Sequence, residues 1–286
     1  MKNLRIFSIL IVTSLVFYLL RVFIGSPAAN ENTINLLLTI SSIMFGVLVG
    51  FFISQLWTRY TEIREHQGVR SSEGVNMIQY ASHFFKNKGF EKEFKKLVEK
   101  SCIADEAIRW DEGHFEISYY RDIEKSFNKA KPKSSKDLEY FDNLLDSYNA
   151  FVASMVKMDT LYKERLFLSQ WLMLIGLSVV MFISVLLLNA SNFLEQAIVI
   201  IFPPIISLAL TIIYDLDRLL WGRESVTLEP NQRILEAIGA KRFYLKKNIK
   251  FVGKHIKGYR TEDDLSGELK RVYTDILNKR KLESQD

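Results

Sequence analysis

A chain of 286 residues that is 48% hydrophobic and 25% charged, with a net charge of +5, has the averages of an ordinary soluble protein. Those averages mislead, because apolar and charged residues are segregated along the chain, and that segregation excludes a uniformly soluble domain. One cysteine, Cys102, excludes an intrachain disulfide.

In chain order, Leu4 to Ile24 is apolar apart from Arg5 and Arg21 and reads as a first span. Its start, followed by Ser26-Pro27-Ala28-Ala29, also resembles a secretory signal with a small-residue cleavage site. The apolar run is longer than a usual signal core and Arg21 interrupts it, so the expectation is an uncleaved anchor. Thr33 to Leu56 carries no charge. The helical period then continues into Arg59, Glu62, Arg64 and Glu65 with no Pro between, and Gly46 and Gly50 lie inside the apolar part. One continuous helix is expected to run from lipid into cytosol, as a pore-lining or stalk helix would.

The segment from 57 to 165 breaks at Asn87-Lys88-Gly89, around Asp111-Glu112-Gly113, and at Lys131-Pro132-Lys133. Between the first two breaks a helix over roughly 91–109 carries the stripe Phe94, Leu97, Val98 and Cys102. After the third, Ser134 and Asp137 fit a capping box, in which each side chain satisfies a backbone N–H of the first turn. Phe141, Leu145, Tyr148, Val152, Met155 and Tyr162 then recur at helical spacing, predicting an amphipathic helix that runs directly into the third span. Arg165 and Glu195 bracket that uncharged stretch, and Gln196 to Tyr214 forms the next. A hydrocarbon core of ~30 Å needs roughly 20 apolar helical residues, which predicts four transmembrane helices.

Pro203-Pro204 falls inside the fourth, where missing backbone donors predict a kink or break. A turn is expected near Glu229-Pro230. A basic stretch follows, with Lys241, Arg242, Lys246, Lys247, Lys250, Lys254 and Lys257. Its expected partner is an anionic headgroup surface or the cytosolic body, each nearby Lys contributing about 1 kcal/mol against such a surface; nucleic acid is not an expected partner. The tail reads as a helix capped by Thr261 and Asp264, with Leu265, Leu269, Val272 and Ile276 on one face.

Basic residues set the topology. Three Lys or Arg lie up to Arg21, nineteen in 57–166 and sixteen from 215 onward, and the connections 25–32 and 190–195 contain none. By the positive-inside rule both termini and the middle segment face the cytoplasm. The expected organisation is therefore transmembrane helices 1 and 2 in 1–56, a cytosolic helical region in 57–165, transmembrane helices 3 and 4 in 166–214, and a cytosolic C-terminal region in 215–286.

The chemistry-bearing motifs are sparse. The chain has no Gly-rich phosphate loop, Ser/His/Asp order, His-Glu-x-x-His or paired-carboxylate motif, so neither enzyme activity nor a cofactor is expected. His66, His83, His114 and His255 never approach metal-ligand spacing, and no metal is expected. Cys102 reads as a small buried residue in a reducing compartment. Asp215 and Asp217 fall well short of the six to eight oxygens that calcium takes.

Gly50-Phe51, then Trp57-x-Arg59-Tyr60-x-Glu62-x-Arg64, then Gly68 resembles the signature of bacterial bestrophins, Gly-Phe…Tyr-x-Arg-Trp-Trp-Glu-x-Arg…Gly. The second half is similar to bestrophin-like membrane proteins of unknown function. These carry a basic cluster before the third span (here Lys163-Glu164-Arg165) and an Asp-Arg-Pro-Phe-x-Gly element after the fourth (here Asp217-Arg218-Leu219-Leu220-Trp221-Gly222, without the Pro and Phe). The resemblance covers most of residues 34–230. It implies an all-α membrane protein with four spans and long helices extending into a cytosolic helical body. It further implies an inner-membrane pentamer, passing ions through a hydrophobic neck on the second helix.

Residue by residue, the neck pattern of two aliphatics and a Phe falls on Ile43, Val47 and Phe51, whose i, i+4, i+8 spacing keeps them on one face. Such a ring gates by dewetting and needs no ion-binding group. The alternative is that the same face meets lipid or a neighbouring helix. Gly46 and Gly50 read as close helix packing through small residues. Arg21 either snorkels to headgroups or lines an outer mouth that draws anions. Trp57 and Tyr60 sit where an aromatic belt belongs. Arg59, Glu62 and Arg64, with Asp217, Arg218 and Gly222, are family-motif positions, implied to make interhelix or intersubunit contacts; for Arg59, Glu62 and Arg64 the alternative is a solvated helix surface. The reading is a passive channel in the bilayer, a homo-oligomer that favours chloride or other inorganic anions. Its rival is a non-conducting scaffold or stress sensor acting through the cytosolic helices.

Overall fold

A computed structural model of the chain describes residues 2–24, 31–83, 88–107, 118–188, 193–219, 229–251, 258–265 and 267–283. Its helices are α1 (Lys2–Ile24), α2 (Glu31–Ser82), α3 (Lys88–Ala107), α4 (Ser118–Phe127), α5 (Ser135–Lys163), α6 (Leu168–Leu187), α7 (Phe193–Asp217), α8 (Glu229–Ala237) and α9 (Gly267–Glu283). Short 3₁₀ turns span Lys246–Phe251 and Glu262–Asp264, and Phe243 bridges to Arg260. Among the described residues three helices are long and apolar enough to cross a bilayer: the one running to Ser82, α6, and the Val199–Asp217 part of α7. Leu10–Phe23 of α1 is a shorter apolar stretch.

The chain divides into two compact units, Met1–Tyr60 with Arg165–Trp221 and Thr61–Glu164 with Gly222–Asp286. In the first, Phe45, Phe52 and Leu56 of α2 pack against Leu174 and Met181 of α6 and Ile206, Ile213 and Leu216 of α7. A second cluster joins Phe17 of α1 to Val185 and Val199. Lipid tails are as apolar as these side chains, so close packing, rather than removal from water, holds such helices together. The other unit is an ordinary water-excluding helical core. Its α3 bears Phe94, Val98 and Ile103, with α5 supplying Leu144, Phe151 and Met158, all at most 4% exposed.

Several expectations meet corrections. The helix after Ser134 has the expected capping box, but its buried face also takes in Leu144, Phe151 and Met158, while Phe141, Leu145 and Val152 are only half-buried. It does not run on into α6. It stops at Lys163, and Glu164 and Phe167 adopt extended backbone. The cause lies at Leu166, whose N–H donates to the Asp217 carboxylate at 2.8 Å instead of to a helical carbonyl. Pro203-Pro204 does not break α7, which is uninterrupted; the Ser207 hydroxyl donates to the Pro203 carbonyl at 3.0 Å. Glu229 and Pro230 stand in the first turn of α8, a position that suits Pro because first-turn N–H groups have no helical partner; residues 220–228, where the turn expected near them would fall, lie outside the described residues. The Thr261–Asp264 capping box closes a 3₁₀ turn, and α9 begins later, at Gly267. Gly222, Lys254 and Lys257 lie outside the described residues.

Candidate functional site

Helix α2 has two unlike faces. Phe45, Phe52 and Leu56 are 2–6% exposed, whereas Ile43, Val47 and Phe51 are 63%, 67% and 61% exposed. The chain's own helices thus cover one side of α2 and leave this apolar stripe uncovered. Phe51 touches only the edge of that core, its ring 5.6 Å from that of Phe52 in a T-shaped pair. A Cβ placed on Gly46 or Gly50 would meet nothing within 4 Å. Among the described residues, therefore, no helix uses these glycines for close approach.

Arg21, in the last turn of α1, reaches the C-terminal end of α6. Its guanidinium donates to the carbonyls of Val185, Leu186 and Leu188 at 3.4, 3.1 and 2.8 Å. Those carbonyls end a helix and lack intrahelical donors, and the partial negative charge of the helix end attracts a cation. In the described chain Arg21 serves as a cap.

The motif residues Arg59 and Asp217 come together. Arg59 Nη1 donates to the Asp217 backbone carbonyl at 3.2 Å and lies 3.9 Å from its carboxylate, with both side chains buried. The same carboxylate accepts from Leu166 N–H and from Trp171 Nε1 at 3.4 Å. One aspartate therefore joins α2, α6 and α7. Trp57 and Tyr60 form a tilted aromatic pair at 5.6 Å, and the Arg218 guanidinium lies over the Tyr214 ring at 5.8 Å. Glu62 is half-buried and Arg64 exposed, outside this junction. Leu219, at the family's Pro position, has φ of +52°, a left-handed value closed to Pro, whose ring locks φ near −65°. The departure from the family pattern and the local backbone thus agree.

One constellation is absent from the sequence expectations. Arg70 of α2, wholly buried, pairs with Asp105 of α3. Its Nη2 also donates to Asn231 Oδ1 of α8 at 2.8 Å and to the Tyr120 hydroxyl of α4 at 3.4 Å, while the Phe151 ring of α5 lies 5.5 Å from its guanidinium carbon. Tyr120 donates to Asp105. Next along α3, Glu106 Oε1 accepts from Asn231 Nδ2 at 3.1 Å and Gln232 Nε2 at 3.2 Å. Burial opposes the charge on Arg70, but Asp105 and, further off, Tyr120, Cys102 and Glu106 outweigh it, so its pKa is raised. Burial raises Asp105 against the pull of Arg70 and Tyr120. It pushes Glu106 up to about 8 and raises the Cys102 thiol, which is therefore no activated nucleophile. Among the described residues no three His, Cys, Asp or Glu side chains gather as a metal site.

The family described as Bestrophin-like domain matches residues 6–231. Among solved structures, one described as the crystal structure of a membrane protein is similar, with a TM-score of 0.59 and 12% identity over 82% of this chain and 99% of that one. At that identity the likeness is one of fold. No curated protein matches the chain.

Proposed function

The chain belongs to the bestrophin-like family of multi-pass membrane proteins, and from that premise we propose that it is the subunit of a passive, homo-oligomeric ion channel with α2 lining the pathway. The proposed subunit crosses an inner membrane four times with both termini cytoplasmic. Ile43, Val47 and Phe51 form its hydrophobic neck, which closes by dewetting, and the permeant ions are anions such as chloride. The observation that carries the reading is the two-faced α2: its apolar stripe is more than 60% exposed while the opposite face is buried by the chain itself. Such a stripe is available to a central axis once copies assemble.

The test combines assembly and flux in one preparation. The purified protein should give the mass of a closed ring, and proteoliposomes from the same batch should pass anions. Trimming the neck in Phe51→Ala should raise leak without changing the ring mass. A monomer or dimer without flux would sink the channel reading and turn attention to the non-conducting scaffold.

A further inference from the structure

The Arg70 cluster brings two adjacent carboxylates, Asp105 and Glu106, to a site with one guanidinium among the described residues, whose Nη2 bonds Asp105. Arg70, Asp105, Glu106, Tyr120, Asn231 and Gln232 are each 4% exposed or less. Asp105 takes the direct ion pair and the Tyr120 hydrogen bond. Among the described residues Glu106 receives only uncharged amide donors. Removing an ion from water without a paired counter-charge is costly enough that a buried group changes protonation instead. Every described element around Glu106 shows the same deficit. From α2 comes Arg70, bound to Asp105. From α4 comes Tyr120, whose proton also points to Asp105. From α8 come the amides Asn231 and Gln232, and on α3 itself lie Asp105 and Cys102. Helix α9 packs on α3 through Val272 and Ile276 at Ala104, and its Glu268 is taken by Lys96 and Lys100, further back along α3.

We propose that this cluster is a one-proton site, with Glu106 the carboxyl that holds the proton, and that uptake and release of this proton make the stability of the core around α3 and α8 depend on pH. With Oε1 accepting from both α8 amides, Oε2 carries the hydrogen, and the cluster balances one guanidinium against one carboxylate. Release of that proton to solvent leaves a second buried negative charge beside Asp105, a cost that the stronger bonds from the α8 amides to a carboxylate offset only in part. Gln232 extends the effect, because its amide also bonds Phe243 N–H and C=O, each at 2.8 Å. The device thus spans α3, α8 and the strand-like segment after it. It is independent of whether the protein conducts.

The sign of the pH dependence follows from linkage. Glu106 moves from an ordinary 4.5 to about 8 in the folded chain, so between those values the folded state holds a proton that the unfolded chain has lost. Its contribution to stability is full below the lower value, falls as pH rises through the window, and levels off above the upper one. The experiment is thermal unfolding of the full-length protein in detergent from pH ~5 to ~9, for wild type and Glu106→Gln. The amide keeps the acceptor oxygen and cannot ionise. Expected is an unfolding constant that rises by up to about tenfold per pH unit in wild type relative to the variant, the difference flattening near the upper value. Parallel curves would overturn the proposal. Should Glu106→Gln fail to fold, infrared spectroscopy of wild type decides. A protonated-carboxyl C=O band present at pH ~6 and lost by pH ~9 upholds the site, and absence of the band at pH ~6 overturns it.

Discussion

Asp217 joins three helices in the membrane-facing unit. Its carboxylate holds the N–H of Leu166 at 2.8 Å, the Trp171 indole at 3.4 Å and the Arg59 guanidinium at 3.9 Å. The pair is 5–6% exposed, and breaking a buried pair from one side usually costs about 3–5 kcal/mol because a charge loses its partner. Asp217→Ala is therefore expected to lower stability by about 3 kcal/mol, read as a fall in Tm of detergent-purified protein. Asp217→Asn, which keeps an acceptor for Leu166, should lose less; equal losses would show that the charge, not the N–H contact, matters. Arg59 and Asp217 were legible in the sequence because both stand in short motifs with Gly, Trp and Tyr at fixed spacing. Arg70, Asp105 and Glu106 were not, since nothing local links them. A signal was nevertheless present: Asp105 and Glu106 fall three and four residues after Cys102, continuing the Phe94–Val98–Cys102 stripe. Carboxylates on the core-facing side of a helix are the mark of a paired or protonated group.

At the scale of elements, α2 carries glycines in opposite surroundings. A Cβ at Gly74 would lie 2.5 and 2.7 Å from Ile234 Cδ1 and Cγ1 and 3.4 Å from Phe151 Cε2. Ile234 is 1% exposed, so any shift of its side chain must displace its core neighbours. Gly74→Ala should therefore destabilise by about 1–3 kcal/mol through overpacking, by separating α2 from α8. Gly46 meets nothing within 4 Å, and Gly46→Ala in a helix interior should gain up to about 1 kcal/mol in propensity. Paired Tm measurements check both signs, and a loss at Gly46 would place another subunit against that face. The elements themselves were readable from period, cap and charge, as the Ser134–Asp137 box at the start of α5 shows. Their ends were less so. The α5 to α6 junction breaks because Asp217, fifty-one residues beyond Leu166, captures its N–H, and no window of local sequence contains that competition.

At the scale of the molecule, the question is what covers the uncovered face of α2. Lipid and a water-filled axis both accept an exposed aliphatic, so Ile43, Val47 and Phe51 cannot separate them by exposure alone. The face does not end at Phe51: Ser54 lies seven residues after Val47, on the same side of the helix, and is exposed. A hydroxyl in lipid gains nothing, whereas beside a neck it marks where water begins. Thiol labelling separates the two environments, because charged, membrane-impermeant reagents attack the thiolate and thiolates form in water. Cys102 is buried with a raised pKa, so a Cys102→Ser background removes little and leaves no competing thiol. In that background Ser54→Cys should label in proteoliposomes and its flux should fall. Val179→Cys on α6, where the side chain is 47% exposed, should stay unlabelled in lipid. No labelling at Ser54→Cys, with Val179→Cys equally silent, would assign the α2 face to lipid or to a dry subunit contact and remove the pathway from it. Labelling at both positions would mean that the bundle is open to water on all sides, and α2 would lose its special place.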